Sequence, residues 1–447
     1  MGNRTVNWRR HSIHLSPPQL LLFIFLFFIL FGAALLKLPM ASTEPVSWLN
    51  ALFTSTSAMT VTGLIVVDTG TVFTTFGEVV IMALIQIGGL GIMSFAVLIY
   101  LMLGKKIGFK ERLIIQQSLN QTSVGGVIRL VKHLFIFSFA VEGLALILLA
   151  SEWIPEYGWK QGLYYSLFHS ISAFNNAGFS LWADGLMRYV ANPLVNIVIS
   201  GLFIIGGIGF TVLTDLWYSK KFQKLSLHTK LMLIGTLVIN VVAMFVIFFL
   251  EYNNPKTLAN LSTMGKVLGA YFQAVSPRTA GFNSLDIAGM EDSTIIFTVL
   301  LMFIGAGSAS TGGGIKVTTF LVITLTVVAF LRQRKDIHAF RRRIDETYIY
   351  KSLAISMISV VLIFSAMFLL TITEKGVPFI QILFEVVSAF GTVGLSMGLT
   401  FNLTAIGKCV IIFVMFVGKL GPLTLAFSLA KKGSDKISYP KEDILTG

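Results

Sequence analysis

Between its long apolar runs the chain carries four short stretches of one design: Thr60-Val61-Thr62-Gly63-Leu64, Asn175-Asn176-Ala177-Gly178-Phe179, Arg278-Thr279-Ala280-Gly281-Phe282 and Gly391-Thr392-Val393-Gly394-Leu395. Each places a glycine one position before its end, and successive glycines stand 115, 103 and 113 positions apart. Solenoid repeats are far shorter, on the order of 20–50 residues. A spacing near one hundred suits a helix, a re-entrant loop and a second helix, repeated four times. That pattern implies an ion pore built from a single chain.

Lipid is the solvent such a chain needs. Of its 447 residues 55% are hydrophobic and 12% charged, and the mean hydropathy is +0.81; a water-soluble fold has no way to bury so much apolar surface. The single cysteine, Cys409, excludes an intramolecular disulfide framework and a thiolate metal cluster. A net charge of +13 would raise the question of nucleic acid in a soluble protein, but here the charges sort by loop. Arg4, Arg9, Arg10, Lys105, Lys106, Lys110, Arg112, Lys220, Lys221, Lys224, Arg332, Arg334, Lys335, Arg341, Arg342, Arg343, Lys431, Lys432 and Lys436 fill alternate connections, and acids such as Asp68, Glu78, Glu152, Asp184, Glu251, Asp286 and Glu374 fill the others. Basic loops stay on the cytoplasmic side, which puts both termini there and calls for no nucleic-acid partner. The basic start and apolar run Leu20–Leu36 exceed a secretory signal core and lead into Lys37-Leu38-Pro39 without a small-residue cleavage site. They read as a retained first transmembrane helix.

A span needs about 20 residues at ~1.5 Å rise each. Runs of that kind fall near 20–38, 77–103, 130–151, 193–218, 230–251, 293–330, 352–373 and 404–430. Trp48–Met59, Leu163–Phe174, Lys266–Ser276 and Phe379–Phe390 lie between them and are too short to cross. The expected fold is an all-α integral membrane protein of four tandem helix/pore-loop/helix units, with eight transmembrane helices and four re-entrant half-helices in pseudo-fourfold symmetry around one pore. Its parts are a cytoplasmic N-terminus at 1–19, pore units at 20–112, 113–224, 225–345 and 346–430, and a cytoplasmic tail at 431–447. Irregular backbone at membrane depth requires a protein-lined or watery axis.

A dehydrated monovalent cation needs replacement oxygens, which rings of backbone carbonyls supply. Glycine permits positive φ and removes the side chain that would crowd the axis. Half-helices aimed inward add the negative potential of their C-terminal ends. The plainer account, that small residues let membrane helices approach closely, suits one such motif better than four in register. The candidate ion selectivity filter is therefore Thr60, Val61, Thr62 and Gly63; Asn175, Asn176, Ala177 and Gly178; Arg278, Thr279, Ala280 and Gly281; and Gly391, Thr392, Val393 and Gly394, with a monovalent cation held at the backbone of the four glycines in register. Side-chain oxygens in these loops either add ligands or brace the backbone.

The segment 293–330 is interrupted by a glycine-rich run from Gly305 to Gly314. It lacks the Lys-Ser/Thr pair and preceding strand of a phosphate loop. Each glycine in a helix costs about 1 kcal/mol relative to alanine, so the helix is expected to break midway through the membrane. Candidate gate residues are Gly305, Gly307, Ser308, Thr311, Gly312, Gly313, Gly314, Lys316 and Lys419. The two lysines are costly at that depth; they serve as a barrier to cations, or bond to carbonyls of the broken helix. His169 has no partner at metal-ligand spacing and reads as a packing residue. With no Walker motif, aspartyl-phosphate site or Ser/His/Asp set in evidence, an enzyme is not expected.

These features together resemble the membrane subunit of Ktr-type potassium uptake systems in the Trk, Ktr and HKT superfamily, over nearly the whole chain. The resemblance implies K⁺ selectivity, since all four filter positions are glycine where some sodium-carrying plant relatives have serine in the first. It maps the family's gating loop onto Gly305–Gly314. It further implies a homodimer in the bilayer of the plasma membrane, each subunit with its own pore, on a cytosolic ring of nucleotide-binding (ATP/ADP) regulatory subunits. K⁺ is then the transported ion, Na⁺ an activator, and no cofactor is bound by this chain. Lys419 stands where the family commonly has arginine, which loses a planar fork of donors. Alternatives are a sodium-carrying member of the superfamily and the potassium-binding subunit of an ATP-driven pump.

Overall fold

The structure is a computed structural model that describes residues 17–91, 94, 127–219, 221–334, 336–422 and 442. The basic groups Arg4–Arg10, Lys105–Arg112 and Lys431–Lys436, and with them most of the expected N-terminal and C-terminal segments, lie outside the described residues.

Helix α1 is Pro17–Leu36 and α2 Trp48–Met59, the latter matching the first expected half-helix. Helix α3 follows at Thr75–Leu90, and α4 at Val127–Phe174. Within α4, Gly158 takes φ 80° and ψ 165° three residues after Pro155, so two helices meet there at a kink. The second of them carries the expected half-helix 163–174. Helices α5 and α6 cover Pro193–Ile208 and Phe210–Tyr218 and bend by 91° at Gly209. Helix α7 is Leu227–Glu251, α8 Thr263–Val275, α9 Asp292–Phe303 and α10 Val317–Leu331. Then come α11, Glu346–Thr373, α12, Phe379–Gly391, and α13, Ala405–Leu420. A two-residue hairpin, β1 His338–Ala339 with β2 Arg342–Arg343, sits in the connection before α11.

Side-chain caps fix the starts of these helices. Ser47 accepts from the Asn50 amide, Asn192 from Val195, Ser226 from Thr229, Ser262 from Gly265 and Thr404 from Gly407. Each satisfies an amide left without a helical partner and is worth about 1 kcal/mol.

Among the described residues four helices are long and apolar enough to cross a membrane, and a fifth is formed if α5 and α6 count as one bent span. Eight spans were expected. The segments 77–103 and 404–430 run partly outside the described residues, and 293–330 is divided into α9 and α10.

The helices pack in a cycle. α3 lies on α4, α5 on α8, α9 on α12, and α13 returns to α2. Each second helix of a repeat thus supports the short helix of the next, and the fourth repeat closes on the first. The buried centre around the short helices is unusually polar, with Ser55, Ser57, Thr60, Ser170, Ser172, Asn175, Gln273, Ser276 and Ser388 all enclosed.

Candidate functional site

At the end of each short helix the chain turns through two left-handed residues. Val61, Asn176, Thr279 and Thr392 have φ of 49°, 57°, 69° and 49°, and two positions later Gly63, Gly178, Gly281 and Gly394 have 91°, 69°, 75° and 95°. The residue between them is not left-handed in any of the four. Such alternation turns successive peptide planes so that neighbouring carbonyls face one side. For a non-glycine residue it costs on the order of 1–3 kcal/mol and persists only when the surroundings enforce it.

Serines enforce it. The amides of Thr62, Ala177 and Val393 each donate over 2.8 Å to the carbonyls of Ser57, Ser172 and Ser388, and Ala280 donates to Ser276 over 3.0 Å. Gly63 and Gly394 amides bond to the hydroxyls of Ser57 and Ser388 at 3.1 and 3.2 Å. Ser172 instead donates to Phe179 O at 2.7 Å, and Ser276 donates to Phe282 O.

The four glycines form a closed ring. A side chain on Gly63 would overlap the Ala177 carbonyl oxygen, one on Gly281 the Val393 oxygen, and one on Gly394 the Thr62 oxygen; on Gly178 it would stand 2.9 Å from the Ala280 oxygen. Every glycine faces the carbonyl that precedes the next glycine in the ring. One backbone oxygen from each of the four repeats thereby lies against the glycine of another, with no room for a side chain.

Several polar side chains of these loops have partners away from the ring. Thr60 and Thr62 share a 2.7 Å hydroxyl bond, and Thr60 also bonds to Thr56 O. Asn175 donates to Gln86 Oε1 at 2.7 Å and to Ile171 O at 2.9 Å. The Arg278 guanidinium is buried toward α7, donating to Asn240 Oδ1 at 2.8 Å and to Thr236 Oγ1 at 3.3 Å. His169 stacks on Trp182 at 4.3 Å and has its ring nitrogens 2.8 Å from Tyr165 O and 3.2 Å from Ser180 Oγ.

Between α9 and α10 the glycine-rich run forms a loop, closed at its base where Gly305 N donates to Ile315 O at 2.8 Å. It is held from two repeats at once. Gly307 N donates to Gly207 O, Phe210 N to Ala309 O, and Gly314 N to Gly418 O, at 2.8, 2.8 and 3.2 Å. The loop also meets the left-handed residues: Thr311 Oγ1 donates to Asn176 Oδ1 at 2.7 Å, and Gly313 N to Thr392 Oγ1 at 3.0 Å. Any side chain on Gly312 would overlap Thr279 Oγ1. Both lysines bond to loop carbonyls, Lys419 Nζ to Thr311 O and Lys316 Nζ to Gly312 O, the second at 2.7 Å. Ser308 lies 3.3 Å from Thr318, hydroxyl to hydroxyl.

Two features escape a reading of the sequence. Helix breaks recur in the other three repeats, at Gly91, Gly209 and Gly421, with φ/ψ of 86°/132°, 106°/135° and 86°/134°. The signal was present as Gly88-Gly89-Leu90-Gly91, Gly206-Gly207-Ile208-Gly209 and Gly418-Lys419-Leu420-Gly421. The first glycine of each abuts the carbonyl oxygen of Met59, Phe174 or Phe390 so closely that a methyl group would overlap it. The other feature is Glu142, buried in the first half of α4. Its carboxylate accepts from Gln86 Nε2 at 3.1 and 3.2 Å and from Asn175 Nδ2 at 3.3 Å, directly behind the second ring loop.

Residues 27–439 match the family TrkH, described as cation transport proteins. Among curated relatives, the chain is 57% identical to the Ktr system potassium uptake protein B of Bacillus subtilis over 445 residues, covering 100% of this chain and 99% of that one. It is 37% identical to the potassium/sodium uptake protein NtpJ of Enterococcus hirae, over 99% of this chain and 100% of the relative. Among solved structures, the potassium transporter TrkH of Vibrio parahaemolyticus matches with a TM-score of 0.71 at 21% identity, over 94% of this chain and 87% of that one.

Proposed function

The chain belongs to the TrkH family of cation transport proteins, and we propose from that premise that it is the pore-forming membrane subunit of a potassium uptake system. The observation that carries this reading is the closed ring of Gly63, Gly178, Gly281 and Gly394, each set against a carbonyl of its neighbour. In this reading the four repeats stand in pseudo-fourfold symmetry, with eight spans and four half-helices. K⁺ sheds water at the ring, is coordinated by backbone carbonyls, and moves inward down the membrane potential, which contributes about 2.3 kcal/mol per charge per 100 mV.

The loop Gly305–Gly314 is the gate. Its hydrogen bonds to the re-entrant loops, and those of Lys316 and Lys419 to its carbonyls, support a plug directly against the ring. The chain works as a homodimer in the plasma membrane with both termini cytoplasmic, on a cytosolic ring of nucleotide-binding subunits, with Na⁺ as activator. Relatives named as potassium uptake proteins of Ktr systems support the transported ion of this reading. A sodium-carrying role is the second reading, favoured by the likeness to a relative named for both ions.

Thermal unfolding of the purified protein in detergent tests the ion. K⁺ bound only to the folded state raises the melting temperature with its concentration. The reading expects a rise in K⁺ that equimolar Na⁺ does not match; equal effects of the two ions speak for the sodium-carrying alternative.

A further inference from the structure

We infer that the intramembrane loop sets the geometry of the selectivity filter, so that the position of the gate controls which ion the ring accepts as well as whether it passes. This rests on the filter and gate assigned above.

The left-handed non-glycine residues are the weak points of the ring, since their backbone conformation must be imposed from outside. Three of the four have the loop as a partner. Asn176 Oδ1 accepts the Thr311 hydroxyl at 2.7 Å, Thr392 Oγ1 accepts the Gly313 amide at 3.0 Å, and Thr279 Oγ1 fills the space that a side chain on Gly312 would need. Asn176 also donates to Thr279 Oγ1 at 3.3 Å, which ties the second and third ring loops together at the same level. Consecutive loop residues 311, 312 and 313 thus meet three successive ring loops, all through the residue two places before the glycine. The fourth, Val61, has an apolar side chain with no hydrogen-bonding group to offer.

Loss of these contacts therefore removes the partners that pin Asn176 and Thr392. A ring that keeps them is held in its K⁺-accepting shape, and one that loses them has three of its four loops free to relax. Thr311 is the positioning residue for this link. Its hydroxyl holds Asn176, while its carbonyl, independent of the side chain, accepts from Lys419.

The test is the ratio of Rb⁺ to Na⁺ tracer flux in liposomes containing the full chain. Thr311→Val, which keeps the shape and the carbonyl but removes the hydroxyl, is expected to lower the ratio several-fold, and Thr311→Ser to restore it. Gly312→Ala, which drives a methyl into Thr279 Oγ1, serves as the second variant and is expected to lower the ratio as well should Thr311→Val fail to fold. Total flux that changes while the ratio stays at the wild-type value in the folded variants overturns the link. Gly63→Ser is measured alongside: if it too leaves the ratio unchanged, the filter assignment has failed; if it lowers the ratio while the loop variants do not, only the link has.

Discussion

Lys419 Nζ donates to the carbonyl oxygen of Thr311, 108 residues earlier in the chain, and so fastens helix α13 to the middle of the glycine-rich loop. A hydrogen bond from a charged group contributes about 1.5–3 kcal/mol. Replacing Lys419 by glutamine shortens the reach and removes the charge. Basal Rb⁺ flux through the chain in liposomes is expected to rise about tenfold, the equivalent of ~1.4 kcal/mol. Lys419→Arg, with more donors for the same carbonyls, is expected to lower it. Flux that is indifferent to both changes would remove Lys419 from the gate.

Glu142 gives a second prediction. Its carboxylate is the acceptor for the side-chain amides of Gln86 and Asn175, and a buried donor left unpaired costs about 1–3 kcal/mol. Glu142→Leu is expected to lower the melting temperature in detergent. Glu142→Gln, which keeps an acceptor oxygen, is expected to lose less.

The recurrent helix breaks provide a third. Gly206 lies against the Phe174 carbonyl oxygen, whereas Gly201, earlier on α5, has nothing within 4 Å of the space a side chain would take. Overpacking of this kind costs about 1–3 kcal/mol. Gly206→Ala should therefore destabilise the protein, and Gly201→Ala should leave it unchanged or gain up to about 1 kcal/mol from helix propensity. Thermal unfolding followed by size-exclusion chromatography compares the two directly.

Much of this architecture is legible in the sequence. Trp48–Met59 ends where the sequence says a short helix must end, because Ser47 caps one side and a glycine-bearing turn follows the other. The interruption at 305–314 was visible because ten residues of small side chains cannot continue a helix. The breaks at Gly91, Gly209 and Gly421 were not, because a short cluster of glycines in an apolar run looks the same whether it bends the chain or lets two helices touch. The left-handed Val61, Asn176, Thr279 and Thr392 have no one side-chain chemistry common to all four. Their conformation is imposed by serine bonds in the preceding turn and by contacts from more than a hundred residues away, as between Thr311 and Asn176, 135 residues apart. Arg278 heads its motif like the other first residues, yet its buried partners on α7 come from fold rather than spacing.

The central claim is that the four-glycine ring chooses K⁺. Gly63→Ser places a side chain against the Ala177 carbonyl oxygen and must shift one ring loop relative to the next. The decisive measurement is Rb⁺ tracer uptake into liposomes, competed by K⁺ or by Na⁺, for wild type and Gly63→Ser side by side. We expect K⁺ to compete far better than Na⁺ in the wild type and this preference to collapse in the variant. An unchanged preference in a folded Gly63→Ser protein would contradict the account.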